Sequence, residues 1–220
     1  MDHLDHRILS ALRVYGCDPR VGGAARALSW AGEHGALWLA AGLAGAAVDG
    51  ARRGAWLRAT ALTAGAHLVS MGVKRVVRRP RPAHVDPLVR TAGRHSFPSS
   101  HAASATAAAV AFGMLGARGR LGAAGTSSTR EAHSGTHAKN SAPIALSAPD
   151  SPGAPPAPDS PEAPPALVAT RAVLPPLATA MCLSRLIVGV HYPSDVAAGA
   201  ALGALTARAG ARWMRGGAHD

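Results

Sequence analysis

Residues 184–195, which read SRLIVGVHYPSD, place a cation, an imidazole and a carboxylate between two apolar stretches. Pro193 suits the first position of a helix, so Asp195 falls in the opening turn and His191 lies just outside it, one turn from the carboxylate. A histidine that an aspartate orients through one ring nitrogen keeps the other nitrogen as a nucleophile or base. An aspartate in a first turn also complements the helix dipole, so Asp195 alone does not indicate catalysis.

A second polar segment, KRVVRRPRP at residues 74–82, follows another apolar stretch. The preceding helix should end near Arg79, because Pro80 lacks an amide donor and disfavours helical geometry in the residue before it. Lys74 then lies on the last helical turns and Arg81 on the exit loop. The alternative is a basic cluster that only anchors a membrane helix to lipid headgroups.

The third polar segment is FPSSH, residues 97–101, at the start of an Ala-rich helix. Ser99 or Ser100 is a natural N-cap, so the free amide groups and the positive end of the helix dipole would face a bound anion. His101 falls in the first turn. An uncharged cap with an incidental histidine is the alternative.

Five stretches without charged residues, 12 to 16 residues long, accompany these segments: 35–48, 59–73, 102–117, 172–184 and 196–207. Each is shorter than the roughly 18 to 20 residues of a bilayer crossing. Arg58, Arg171 and Arg208 can lengthen three of them by sending their guanidinium groups to the headgroups. We therefore predict an all-α, polytopic membrane helical bundle with about five transmembrane helices and an N-terminal interfacial helix. A soluble bundle with Ala-rich core helices is the alternative.

The composition narrows the choice of partners. The 220 residues carry 23 Lys and Arg against 12 Asp and Glu, a net charge of +11, which favours anionic partners. Four Trp, two Tyr and two Phe are too few for stacking on single-stranded nucleic acid. Cys17 and Cys182 fit neither a disulfide framework nor a zinc site. We expect membrane lipids and a phosphate-bearing substrate as partners and no nucleic acid, and the oligomeric state stays open.

The chain divides into four parts. Residues 1–32 mix arginines with apolar residues and are predicted to form an amphipathic segment along the membrane surface, without a signal-peptide core. Residues 33–117 hold the first three membrane helices with phosphate-binding motifs. Residues 118–166, rich in Pro, Ala and Ser, are predicted to form a disordered loop. Residues 167–215 hold the last two membrane helices and the nucleophile motif.

Together the three polar segments supply the parts of a phosphoryl-transfer site. Cations neutralise the equatorial oxygens, a helix N-terminus adds amide donors, and two histidines offer a nucleophile and an acid for the leaving group. A metal-dependent site would need several convergent carboxylates, and only Asp86 and Asp195 lie near these segments. We therefore expect no metal and no other cofactor.

The motifs K-x6-RP, PS-x-H and SR-x5-H-x3-D, in this order between hydrophobic helices, resemble the type 2 phosphatidic acid phosphatase superfamily over residues 55–212. The resemblance implies that His191 is the nucleophile that forms a phosphohistidine. It implies that Asp195 orients this imidazole and that His101 protonates the leaving oxygen. It also implies phosphate binding by the remaining motif residues Lys74, Arg81, Ser99, Ser100 and Arg185. Ser100 stands where the common motif has glycine.

The same resemblance implies an integral membrane enzyme, a phosphoric monoester hydrolase that acts on a lipid-linked phosphate. The expected substrate is decaprenylphosphoryl-5-phosphoribose, a precursor of cell-wall arabinan, with undecaprenyl diphosphate or phosphatidic acid as alternatives. A vanadate-dependent haloperoxidase shares this anion site but is a much longer protein. A non-enzymatic membrane anchor would explain the charge but not the spacing of the histidines. The count of Lys and Arg outside the phosphate site favours an extracytoplasmic active site under the positive-inside rule.

Overall fold

The computed structural model describes residues 2–91, 93–115 and 165–215. Within these ranges the regular structure is helical, apart from an isolated antiparallel bridge between Pro80 and His95. The all-α prediction is therefore confirmed for the described residues. The helices are α1 Asp2–Tyr15, α2 Pro19–Ala31, α3 Ala36–Val48, α4 Arg53–Val77, α5 over residues 100–115, α6 Pro165–Ile187, α7 Pro193–Ala209 and α8 Ala211–Arg215.

The predicted apolar stretches all coincide with helices α3 to α7 where they are described. Helix α6 begins at Pro165, inside the loop predicted over 118–166, and the rest of that loop lies outside the described residues. Helix α4 ends at Val77, because Arg78 takes a left-handed backbone conformation with φ 52° and Pro80 follows. Helix α7 begins at Pro193, as the sequence predicts.

The N-terminal helices pack against the helices that carry the predicted nucleophile. Helices α1 and α2 both contact α6, and α1 also contacts α7. Leu9 of α1 is fully buried in a cluster with Leu186, Tyr192 and Val196. Residues 2–31 are therefore part of the helical bundle around the site, a packing that the amphipathic pattern did not indicate.

Helices α5 and α7 approach each other closely at two glycines one turn apart. A β-carbon on Gly203 would lie 2.2 Å from the carbonyl oxygen of Ala103, and one on Gly199 would lie 2.3 Å from that of Ser99. Both distances are far below van der Waals contact, so only a residue without a side chain fits at either position. This close packing brings the N-terminus of α5 next to the first turn of α7.

Large apolar side chains also lie on the outside of the bundle. Among the most exposed are Leu43, Val48, Leu68, Val76 and Leu205. Within the described ranges, no helix combines the length and the apolar content that a bilayer crossing requires. The five predicted transmembrane helices stay a prediction.

Gly203→Ala is expected to lower the free energy of unfolding by about 1 to 3 kcal/mol, because the new methyl group meets the α5 backbone, which cannot yield as a flexible side chain would. Gly65→Ala is the matched control: Gly65 lies in α4, and no atom lies within 4 Å of the place that its new methyl group would take, so the same change should stabilise the helix by up to about 1 kcal/mol. Thermal melting followed by circular dichroism compares the two variants. Equal melting temperatures would contradict the close packing of α5 on α7.

Candidate active site

Residues from all three polar segments line one cavity of about 230 Å³. Six of the eight predicted site residues border it: Lys74, Arg81, Ser100, His101, Arg185 and His191. The two others, Ser99 and Asp195, are fully buried behind them. The sequence motifs thus meet at one place, although they are separated by up to about half of the chain.

The cations of the cavity are buried. Lys74 is 9% exposed and Arg185 3% exposed. Burial, with the positive charges of Arg81 and Arg185, lowers the pKa of Lys74 to about 8. The Nε of Arg185 is buried and has no hydrogen-bond partner among the described residues. Arg81 is fixed by two bonds of 2.8 Å to the carbonyls of Gly93 and Val190. Buried cations with unused donors are suited to an anionic ligand.

His191 and Asp195 form the predicted pair. The Nδ1 atom of His191 lies 3.6 Å from Oδ2 of Asp195, longer than a hydrogen bond, and both side chains are buried. Catalytic hydrogen bonds of this kind often shorten only when substrate binds. The amide of Tyr192 donates to the same Oδ2 at 2.8 Å. With its Nδ1–H directed at the carboxylate, His191 would keep the lone pair of Nε2 for chemistry.

Burial and neighbouring groups shift the pKa values of both His191 and Asp195. Burial, together with the positive charges of Arg185, Arg81 and Lys74, lowers the pKa of His191 to about 3, against the opposing effect of Asp195. Burial alone would raise the pKa of Asp195, but its interactions with His191, Tyr192 and Arg79 outweigh burial and hold the pKa below its usual value. The pair is therefore a neutral imidazole beside a carboxylate at neutral pH.

A residue that the sequence analysis did not select holds the other carboxylate oxygen. Arg79 donates from Nη1 to Oδ1 of Asp195 at 2.8 Å and to Oγ of Ser194 at 2.7 Å. Its Nη2 donates to Oδ2 of Asp5 in α1 at 2.9 Å. The sequence placed Arg79 only at a helix end and Asp5 only in a surface segment, and no spacing in a single sequence distinguishes them from other charged residues.

His101 lies at the start of α5 and is held by α2. Its Nε2 lies 3.1 Å from the carbonyl oxygen of Ser29, and because a carbonyl only accepts, Nε2 carries the hydrogen. Arg185 donates from Nη1 to the hydroxyl of the same Ser29. Burial, reinforced by the charge of Arg185, lowers the pKa of His101 far below its usual value. Ser29 is a further residue that the sequence analysis missed.

The two serines of the FPSSH segment, Ser99 and Ser100, lie in different places relative to the cavity. The Oγ of Ser99 accepts from the amide of Ala102 at 3.4 Å, which is the N-cap geometry that the sequence predicts. The amide of Ser99 donates to the carbonyl of Asp195 at 2.9 Å and so ties α5 to α7. Ser100 borders the cavity, whereas Ser99 does not. A phosphate contact of Ser99 stays a prediction.

The arrangement is suited to a tetrahedral anion next to an oriented imidazole. Cations line the cavity and could stabilise negative charge there, and a second imidazole, at a helix N-terminus, could transfer a proton. In the described part of the chain, no group of three or more His, Cys, Asp or Glu side chains could hold a metal ion.

Comparison with known proteins agrees with this geometry. A family model of the PAP2 superfamily matches residues 55–217. The chain is 38% identical over 177 residues to the decaprenylphosphoryl-5-phosphoribose phosphatase of Mycolicibacterium smegmatis, covering 80% of this chain and 69% of that protein. It is 36% identical over 182 residues to the enzyme of that name from Mycobacterium tuberculosis, covering 82% and 73%.

Among solved structures, a transmembrane PAP2-type phosphatidylglycerolphosphate phosphatase from Bacillus subtilis aligns with 98% of this chain and 96% of its own, at 18% identity and a TM-score of 0.47. The match of the family model to more than half of the chain, and the identity to two phosphatases over most of their length, lead to one conclusion: the chain belongs to the PAP2 superfamily and is a phosphoric monoester hydrolase.

Proposed function

We propose that this enzyme is a metal-independent lipid-phosphate phosphatase that works through a phosphohistidine at His191. The observation that carries the proposal is the position of His191, which borders the same cavity as Lys74, Arg81 and Arg185 while Asp195 lies 3.6 Å behind its Nδ1. A nucleophile, its orienting carboxylate and three cations thus surround a space that suits one phosphate group.

In the first step, Nε2 of His191 attacks phosphorus and the bond from phosphorus to the leaving oxygen breaks. His101, protonated on both ring nitrogens, gives the hydrogen of its Nδ1 to that oxygen, which leaves as an alcohol, while its Nε2–H stays bonded to the carbonyl of Ser29. In the second step, water attacks the phosphohistidine and gives a proton to His101, while the bond between phosphorus and His191 breaks. Inorganic phosphate leaves and both histidines return to their starting state.

This mechanism requires His101 to carry a positive charge at the moment of leaving-group departure, although burial and Arg185 depress its pKa. A phosphate dianion in the cavity would reverse the local field and favour the protonated imidazole. Substrate binding and proton uptake by His101 are therefore coupled in this proposal. The neutral form of His191 is the nucleophilic one, and its low pKa keeps it in that form.

The proposed substrate is decaprenylphosphoryl-5-phosphoribose, the molecule in the names of the two similar phosphatases. It carries a phosphomonoester, which is removed, and a second phosphate that links the sugar to the lipid. Arg26 of α2 and Arg90 border the cavity together with the three motif cations, and Glu33 is the one carboxylate among the described residues that line it. A phosphomonoester brings a charge of only about −1.5 to −2. The excess positive charge favours a substrate with a second anionic group over phosphatidic acid.

We further propose that the enzyme is a multi-pass membrane protein with an extracytoplasmic active site. The outward apolar side chains on α3, α4 and α7 support a lipid-facing surface. The charge-free stretches within α3 to α7 support about five crossings. Labelling of a cysteine introduced at exposed Arg94 in intact cells tests the orientation: reaction only with membrane-permeant reagents would contradict it.

His191→Ala is expected to reduce phosphate release by at least about 10⁴-fold, since the nucleophile is lost, and His101→Ala by about 10² to 10⁴-fold with a natural leaving group. With a ³²P-labelled aryl phosphate, whose leaving group needs no acid, His101→Ala should accumulate acid-labile label on the protein, because the water that hydrolyses the phosphohistidine lacks its base. The double variant should carry no label. His3→Ala, at an exposed position of α1, is the control with unchanged turnover. Label in the double variant would contradict a phosphohistidine at His191.

Arg26→Gln and Arg90→Gln are each expected to raise KM for decaprenylphosphoryl-5-phosphoribose by about tenfold or more, the effect of losing one charge-assisted hydrogen bond. KM for phosphatidic acid and for an aryl phosphate should stay within about twofold, because these molecules lack the second phosphate. Arg20→Gln is the control, since Arg20 is exposed on the same helix as Arg26 and does not border the cavity. Equal increases for all three substrates would rule out a second phosphate subsite.

A further inference from the structure

We infer that Arg79 and Asp5 are positioning residues for the catalytic pair, with Asp5 supplied by a helix that lies before the family match. The inference rests on the proposed role of His191 as nucleophile. Neither residue touches the space for the phosphate: both act through Asp195, which in turn orients His191. The matched family region begins at residue 55, so α1 contributes a group that the superfamily motifs do not contain.

Hydrogen-bond donors hold both carboxylate oxygens of Asp195. Oδ2 accepts from the amide of Tyr192 at 2.8 Å and faces Nδ1 of His191. Oδ1 accepts from Nη1 of Arg79 at 2.8 Å. A carboxylate held at both oxygens cannot rotate about its terminal bond, so Oδ2 stays directed at the imidazole. Without Arg79, Oδ1 would be a buried anionic atom without this partner, and the carboxylate would be free to turn toward the cations of the cavity.

Two carboxylates and an aromatic ring hold Arg79 in place. Its guanidinium group reaches Asp195 with one nitrogen and Asp5 with the other, at 2.8 Å and 2.9 Å, and lies 4.2 Å above the centre of the Tyr192 ring. The guanidinium is planar and its donors diverge at fixed angles, so fixing one nitrogen and the ring face fixes the other nitrogen as well. Asp5 thus determines where Arg79 presents its Nη1.

Asp5 also holds the turn next to His191. Asp5 is 5% exposed, and its Oδ1 accepts from the amide of Ser194 at 3.0 Å while Oδ2 accepts from the Ser194 hydroxyl. Ser194 lies between Tyr192 and Asp195 in the first turn of α7. One carboxylate of α1 therefore holds both the arginine and the backbone of the turn. Displacement of a reacting group by about 1 Å can reduce a rate by about 10²-fold, so this anchoring has catalytic consequences.

Both carboxylates also depend on the same cation. Two buried carboxylates, Asp5 and Asp195, share one guanidinium group, and further hydrogen bonds from Ser194 and Tyr192 complete the set. Arg79 is thereby engaged on both sides and is kept from the cavity, in contrast to Lys74, Arg81 and Arg185, which border it. The two groups of cations in the same region have separate tasks: three bind the phosphate and one orients the carboxylate.

The test is a double-mutant comparison of kcat and KM. Asp5→Asn keeps the size of the side chain and removes its charge, and it should lower kcat by about 10 to 100-fold while KM changes by less than about threefold. In an Asp195→Asn background, Asp5→Asn should lower kcat by less than about twofold further, because the group through which it acts is already gone. Asp86→Asn removes a charge from an exposed loop position and is the control with unchanged kcat.

A loss of kcat that is equally large in both backgrounds would show that Asp5 only supports the fold, and would overturn the inference. Unchanged kcat in Asp5→Asn would overturn it too. If Asp5→Asn does not fold, the same comparison is made with Arg79→Lys, which keeps the charge but cannot bridge two carboxylates in the same geometry. If neither His191→Ala nor Asp195→Asn lowers kcat, the proposed function itself is wrong, and this outcome is distinct from an effect of Asp5 that does not depend on Asp195.

Discussion

Burial of positive charge is the constraint that organises this structure. Lys74 and Arg185 are almost completely removed from water, and burial together with the nearby charge of Arg81 lowers the pKa of both. Such a cluster is unfavourable unless polar groups or an anion compensate it. The protein compensates part of it: two carbonyls hold Arg81, and Ser29 accepts a hydrogen bond from Arg185. The Nε of Arg185 has no hydrogen-bond partner among the described residues, and a phosphate in the cavity would supply one.

Such a cluster forms only if helices distant in sequence approach very closely. Gly199 and Gly203 let α7 lie against the backbone of α5, and the amide of Ser99 bonds directly to the carbonyl of Asp195. The N-terminus of one helix and the first turn of the other are thereby fixed relative to each other by main-chain atoms. His101 lies in the first turn of α5 and His191 lies two residues before α7, so the separation of the two histidines depends on this main-chain contact.

The local geometry of each motif could be predicted from the sequence, because it depends on residue types at fixed local spacings. His191 and Asp195 are one turn apart, Pro193 starts α7, and Pro80 limits α4, so each motif defines its own geometry. The α-helical class followed from the apolar stretches. The long-range partners could not be predicted in this way. A single aspartate at position 5 or a serine at position 29 has no local pattern, and only the packing of α1 and α2 against α6 and α7 reveals its contacts.

The N-terminal helices α1 and α2 contribute contacts that hold residues of the site in place. The motif residues lie within the family match, residues 55–217, and include the cations and the two histidines that border the cavity. The groups that hold them in place come partly from outside it: Asp5 holds Arg79, and Ser29 contacts both His101 and Arg185. Because Arg26 lies on the same helix as Ser29 and borders the cavity, a change in the packing of α2 would alter both the contact that holds His101 and the lining of the cavity.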